Sequence, residues 1–138
     1  MTEPGYRPYG WEEWPDFPWW SYQFRRVLGE TQEGGGAISE CFMAADAMRP
    51  GDGESWFGEW RRLADRSAGQ AAAAEAAAHV VTARNACLRA TNYCRASEYG
   101  LAPSDPRRLA VSGSTLGEDL VFDWLSDVFA AKPVASQQ

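Results

Sequence analysis

Residues 69–99 read GQAAAAEAAAHVVTARNACLRATNYCRASEY, and they constrain the fold more than any other stretch. The segment AAAAEAAAH is almost pure helix former. Gly100 follows as a natural residue to leave a helix, and Pro103 cannot continue one. The spacing predicts one long helix over 69–99, about 45 Å if unbroken. Alanine on both sides lets other helices approach closely, so the chain should be a helical body packed around this element.

The flanking signals agree. A short helix is expected over 21–28, ended by Gly29, and a second over 37–48, stopped before Pro50. The segment EGGG at 33–36 breaks the chain between them. RPGDGES is a turn in which Asp52 or Ser55 can cap a third helix. In that helix Trp56, Trp60 and Leu63 share one face, while Arg61, Arg62 and Asp65 lie elsewhere. The stretch LAVSGSTLG admits a short strand and turn or irregular chain. A final helix over 117–131 and a frayed tail complete the reading. The expected fold is therefore all-α, with four to five helices and an aromatic N-terminal arm. It divides into an arm (1–20), a helical domain (21–106) and a turn with a closing helix (107–138).

The arm holds four Pro and four Trp in its 20 residues. Proline keeps it extended. Trp11, Trp14, Phe17, Trp19 and Trp20 gain too much by burial to float free, so it should wrap the body or cover a pocket mouth.

Charge and motifs exclude several functions. A net charge of -6 with mixed signs lacks the basic stripe that nucleic acid requires. No apolar stretch approaches membrane-spanning length, and the N-terminus carries no secretory pattern. Three cysteines, Cys41, Cys87 and Cys94, suit reduced thiols in a cytoplasm. No metal-ligand spacing, P-loop or dinucleotide fingerprint occurs, so neither metal nor cofactor is expected. The sole histidine, His79, lies four residues after Glu75, within reach on one helix. A solvated pair competes there with an acid–base role. Asn85, Arg89 and Asn92 fall at i, i+4 and i+7 with Tyr93 beside them, and Arg95 with Glu98 is spaced for an ion pair. These residues line either a polar cavity or an exposed ladder.

Two long segments, GGGAISECFMAADAMRPGDGESWFGEWRRLADR and HVVTARNACLRATNYCRASEYGL, resemble the N-terminal helical cap region of α/β-hydrolases of the C–C hydrolase and esterase group. In that group a His and an Ala-Arg precede a run of the type Tyr-Leu-Arg-Ala-x-Asn-Tyr-Tyr-Arg-x-Ala-Glu. His79, Arg84, Leu88, Arg89, Asn92, Tyr93, Arg95 and Glu98 match it, while Cys87 and Cys94 stand where Tyr is usual. The resemblance covers residues 20–106. DPRRLAVSGSTLG is similar to the strand and turn bearing the catalytic serine, but Thr115 occupies the nucleophile position. VFDWLSDVF is similar to the C-terminal helix of such enzymes, with most of the catalytic domain between them missing.

The resemblance implies a pocket side retained without the triad. A relocated triad of Thr115, His79 and Asp123 would lack an oxyanion hole. The expectation is a protein without serine-hydrolase activity that binds a small hydrophobic or aromatic metabolite. Arg89, Asn92, Tyr93, Trp56 and Trp60 would line the site. His79, Tyr93 or Glu40 would act as acid–base group if a cyclisation or isomerisation is catalysed. The competing expectation is a non-catalytic partner of a separate hydrolase or biosynthetic enzyme. The apolar circumference of the closing helix predicts a homodimer with Trp124 and Phe129 at its interface.

Overall fold

The computed structural model describes residues 12–113, and among them five α-helices and no strand. The helices are α1 (Pro18–Gly29), α2 (Ile38–Ala47), α3 (Gly53–Ala76), α4 (Val80–Ser97) and α5 (Arg107–Gly113). Short 3-10 turns, Glu30–Glu33 and Glu98–Gly100, follow α1 and α4. The all-α fold anticipated from the sequence is the fold observed.

Helix α1 starts inside the stretch assigned to the arm. Pro18 stands in its first turn, where a missing donor and a fixed φ favour helix. Upstream, Trp14 is anchored by Ser21. The Trp14 N–H donates to Ser21 Oγ, and Ser21 Oγ–H donates to the Trp14 carbonyl, both at 2.9 Å. Trp14 is buried, packed edge-on against Trp20 and Phe24. This part of the aromatic segment therefore packs on the body, while Trp19 stays exposed.

Helix α3 is capped by Asp52, whose Oδ1 accepts the N–H groups of Glu54 (3.0 Å) and Ser55 (3.2 Å). Ser55 is not the cap; its Oγ accepts the Arg49 N–H. Trp56, Trp60 and Leu63 are buried together, as their spacing requires. With Phe24 and Val27 of α1 and Cys41 and Ala44 of α2 they form the core.

The single long helix over 69–99 does not form. The alanine run ends α3 at Ala76, and α4 begins at Val80. Ala78 takes a left-handed φ of 57°. The Ala78 N–H donates to the Glu75 carbonyl and the His79 N–H to the Ala74 carbonyl, each at 2.8 Å. This is a Schellman ending with alanine in the place glycine usually takes. The chain then folds back, so that Trp56 Nε1 donates to the Ala96 carbonyl at 2.8 Å. The start of α3 thus lies beside the end of α4, an antiparallel hairpin. The physical reason is burial. A straight helix would leave the face of Ala64, Ser67, Ala71 and Ala74 uncovered, whereas folding back packs α4 on α3, and these residues are buried along with Ala86 and Ala90. At the open end of the hairpin the backbones nearly touch, since a Cβ on Gly100 would lie 2.5 Å from the Gly53 carbonyl oxygen.

Residues 107–113 form a helix rather than a strand. A lone strand has no neighbour to pair with, while a helix satisfies its own backbone. Asp105 holds the first turn by accepting the Arg107 N–H at 2.9 Å. Arg107 also bridges to Glu54 of α3. Thr115, Asp123, Trp124 and Phe129, and with them the nucleophile position and the closing helix, lie outside the described residues.

Candidate functional site

The polar face of α4 meets the glycine loop that precedes α2. Gly34 has a φ of 83°, which a side chain would resist. Gly35 and Gly36 then pass close under α4. A Cβ on Gly36 would meet Thr31 Cγ2 at 3.2 Å and the Tyr93 hydroxyl at 3.4 Å. The three glycines let the loop lie flat enough for Asn92 and Tyr93 to seize it.

Asn92 Nδ2 donates to the Gly35 carbonyl at 2.7 Å. The Tyr93 hydroxyl accepts the Ala37 N–H at 2.8 Å and donates to Glu40 Oε2 at 2.9 Å. Arg95 Nη2 donates to Asn92 Oδ1 and to Glu30 Oε1, each at 3.1 Å. The Tyr93 ring stacks on Trp60 with centroids 5.7 Å apart. Asn92 and Tyr93 are buried, and Glu40 is half-buried at the first turn of α2. These residues act as a clamp across 50-odd residues of chain.

Electrostatics fix the protonation of the clamp. Burial raises the Tyr93 pKa, and the charge of Glu40 raises it further, against the Ala37 N–H, which lowers it. The phenol therefore stays protonated and serves as a donor rather than a base. Burial pushes the neighbouring Cys41 thiol up to about 11. Cys87 and Cys94 are raised by burial too, so none of these free thiols is an activated nucleophile.

The remaining candidates fall in different places. Trp56 and Trp60 are wholly inside the core. His79 is exposed at the bend between α3 and α4. It stands 14 residues before Tyr93, about 21 Å along the helix axis. The bend also removes the helical spacing that would have set His79 over Glu75. Arg89 lies one turn before Tyr93 and is half-buried. Its Nε is covered and has no hydrogen-bond partner among the described residues, and the same holds for Thr91 Oγ1 and Trp60 Nε1. The structure thus joins Glu40, Tyr93, Asn92 and Trp60, keeps Arg89 adjacent along α4, and leaves His79 apart. Sequence reasoning missed the loop itself: EGGG was legible as a break, but nothing marked Gly35 and Ala37 as partners of α4. The one signal was three glycines in a row where one suffices for a turn.

Among the described residues no helix is long and apolar enough to cross a membrane, and no group of three or more His, Cys, Asp or Glu could hold a metal ion.

The chain is 42% identical over 101 residues to the 20-hydroxy-prefusarin hydrolase FUS2 of Gibberella moniliformis, a match covering 70% of this chain and 23% of that protein. It is 37% identical over 91 residues to the alpha/beta hydrolase gkaG of Penicillium citrinum, covering 66% and 21%. It is 36% identical over 104 residues to the hydrolase acrC of Aspergillus aculeatus, covering 74% and 24%. The chain spans less than a quarter of the length of these curated relatives. No family model matches, and no solved structure matches.

Proposed function

This chain is related to the fungal α/β-hydrolases, and on that footing we propose that its helical body binds a small hydrophobic or aromatic metabolite and supplies no serine-hydrolase chemistry. The observation that carries this reading is Arg89. A covered guanidinium N–H without an acceptor is uncommon, because leaving such a group unpaired is costly. A ligand carboxylate, enolate or carbonyl oxygen would satisfy it. Arg89 stands one turn from Tyr93, whose clamp holds Glu40 at the start of α2. Glu40 then offers a fixed carboxylate beside a helix that exposes Ile38 and Met43. If a cyclisation or isomerisation takes place, Glu40 is the acid–base group, and Tyr93 positions it through the O–H bond. His79 is too far along α4 to join them.

Native mass spectrometry of the full chain from a fungal host tests the proposal. A retained metabolite in the wild type that is absent from Arg89→Ala supports it. Ester hydrolysis lowered a hundredfold or more by Thr115→Ala would overturn the non-hydrolytic part, because that loss is the signature of a removed nucleophile. The exposed Ile38 and Met43 favour one second reading, a non-catalytic partner docking α2 on a separate hydrolase or biosynthetic enzyme. A co-purifying enzyme, with no small molecule bound, would select it.

A further inference from the structure

The bend at Ala77, Ala78 and His79 is built from residues that favour continuing the helix. Alanine is the strongest helix former, and neither glycine nor proline interrupts AAAAEAAAH. Yet Ala78 sits at φ 57°, a conformation that a Cβ disfavours. This local preference is overruled only by the pairing of α3 with α4. Towards the bend, the buried residues of the paired helices are small: Ala64, Ser67, Ala71 and Ala74 on α3, Ala86 and Ala90 on α4. The same contacts form whether α4 comes from the same chain or from another. Short strained hinges between elements that pair extensively invite such exchange.

We propose that the hairpin opens at Ala77–His79 into one continuous helix and that two copies of this chain exchange their α4 segments. The continuous helix then runs from Gly53 to Ser97, about 67 Å. Each exchanged α4 stacks its Tyr93 on Trp60 of the other copy and gives its Trp56-binding carbonyl, Ala96, to that copy as well. The clamp becomes a shared site: Asn92 and Tyr93 come from one chain, and Gly35, Ala37 and Glu40 come from the other. A second observation supports the opening. Val80 and Val81, immediately after the bend, are 62% and 71% exposed. In the exchanged dimer the two hinge segments run past one another, and these valines lie where new apolar cover arises. Mass action sets the balance, since the closed monomer has the higher effective concentration and the open dimer relieves two strained alanines.

The test is the mass of the full chain by size exclusion with light scattering, after refolding at low and at high micromolar concentration. The wild type is expected to give both a 15.2 kDa monomer and a species of twice that mass. Ala78→Gly accepts the left-handed φ and weakens the continuous helix, so it should raise the dimer dissociation constant about tenfold or more. Ala78→Asn, which tolerates the same φ, should act in the same direction. Ala78→Val, β-branched and poorly suited to positive φ, should shift the population toward dimer. Trp124→Ala should leave the dimer in place. A chain that stays monomeric at every concentration, or a dimer indifferent to Ala78→Gly and Ala78→Asn but lost with Trp124→Ala, overturns the exchange.

Discussion

The two ends of the α3–α4 hairpin are held together in different ways. At the open end, Trp56 and Trp60 fill the space against Tyr93 and Ala96, two glycines bring the backbones together, and α1, α2 and the glycine loop cover the outside. At the bend, the contacts are alanine on alanine, and residues 75–82 are all exposed. The open end is specified by side chains of distinct shape with named hydrogen bonds. The bend is specified by little beyond the close approach of α3 and α4, against the local preference of its alanines for helix. Uniqueness of structure comes from the first kind of contact, because only shape and directed bonds exclude alternatives. The candidate site belongs to that end.

The largest effect expected is at the centre of the open end. Trp60→Ala empties a fully buried indole site bordered by Phe24, Trp56 and Tyr93. It should destabilise the chain by about 3–5 kcal/mol. Urea unfolding followed by circular dichroism measures this. A loss under about 1 kcal/mol would mean that the two ends do not differ as described.

Tyr93→Phe keeps the ring on Trp60 and removes only the hydroxyl. The Ala37 N–H and the Glu40 carboxylate each lose a partner, and a cost of about 1–3 kcal/mol is expected. The change should be accompanied by faster amide exchange in residues 34–40 and no change near the bend. Uniform exchange along the whole chain would show that Tyr93 acts through general packing and not as a clamp on the loop.

Much of this arrangement was legible beforehand, and the reasons for the gaps are physical. Gly29, Pro50 and the Asp52 cap bounded α1, α2 and α3 because turn chemistry is local. The face of Trp56, Trp60 and Leu63 was legible because helical period alone sets it. The bend at Ala78 was not, since no residue there prefers to leave a helix; only the distant pairing of Ala71 and Ala74 with α4 imposes it. Asn92 and Tyr93 stood out as polar residues that α4 would shield, but their partners Gly35 and Ala37 lie more than 50 positions away. Backbone groups carry no sequence signature. The stretch LAVSGSTLG admitted a short strand or irregular chain, and the likeness to enzymes in which neighbouring strands hold one favoured the strand; residues 107–113 form a helix instead.

Alkaline pH probes the buried end separately. The Cys41 thiol is raised from 9.0 to about 11 by burial, and Tyr93 is raised as well. An acid whose pKa is raised on folding stabilises the fold fully below its unfolded value. That contribution falls as pH rises from the unfolded value toward the folded one, because the unfolded chain releases the proton first. Stability should therefore decline from about pH 9 upward. Cys41→Ala should flatten the decline between about pH 9 and 11 if the cavity it leaves is small. A decline that keeps its slope in Cys41→Ala and in Tyr93→Phe alike would place its origin outside the clamp.

The smallest effect is expected near the bend. Ala72 is exposed on α3, on the side of the alanine run that faces away from the buried Ala71 and Ala74. Ala72→Gly removes one methyl group that touches no core and adds backbone freedom to the unfolded chain, which together cost about 1 kcal/mol in an exposed helix. Measured by urea unfolding at low micromolar concentration, a loss of that size matches a last stretch of α3 whose exposed face is held by helix propensity. A loss of about 2 kcal/mol or more would mean that Ala72 is covered in solution. The same measurement at high concentration then decides what covers it: a penalty that grows with protein concentration comes from a second copy, and one that does not comes from the chain itself.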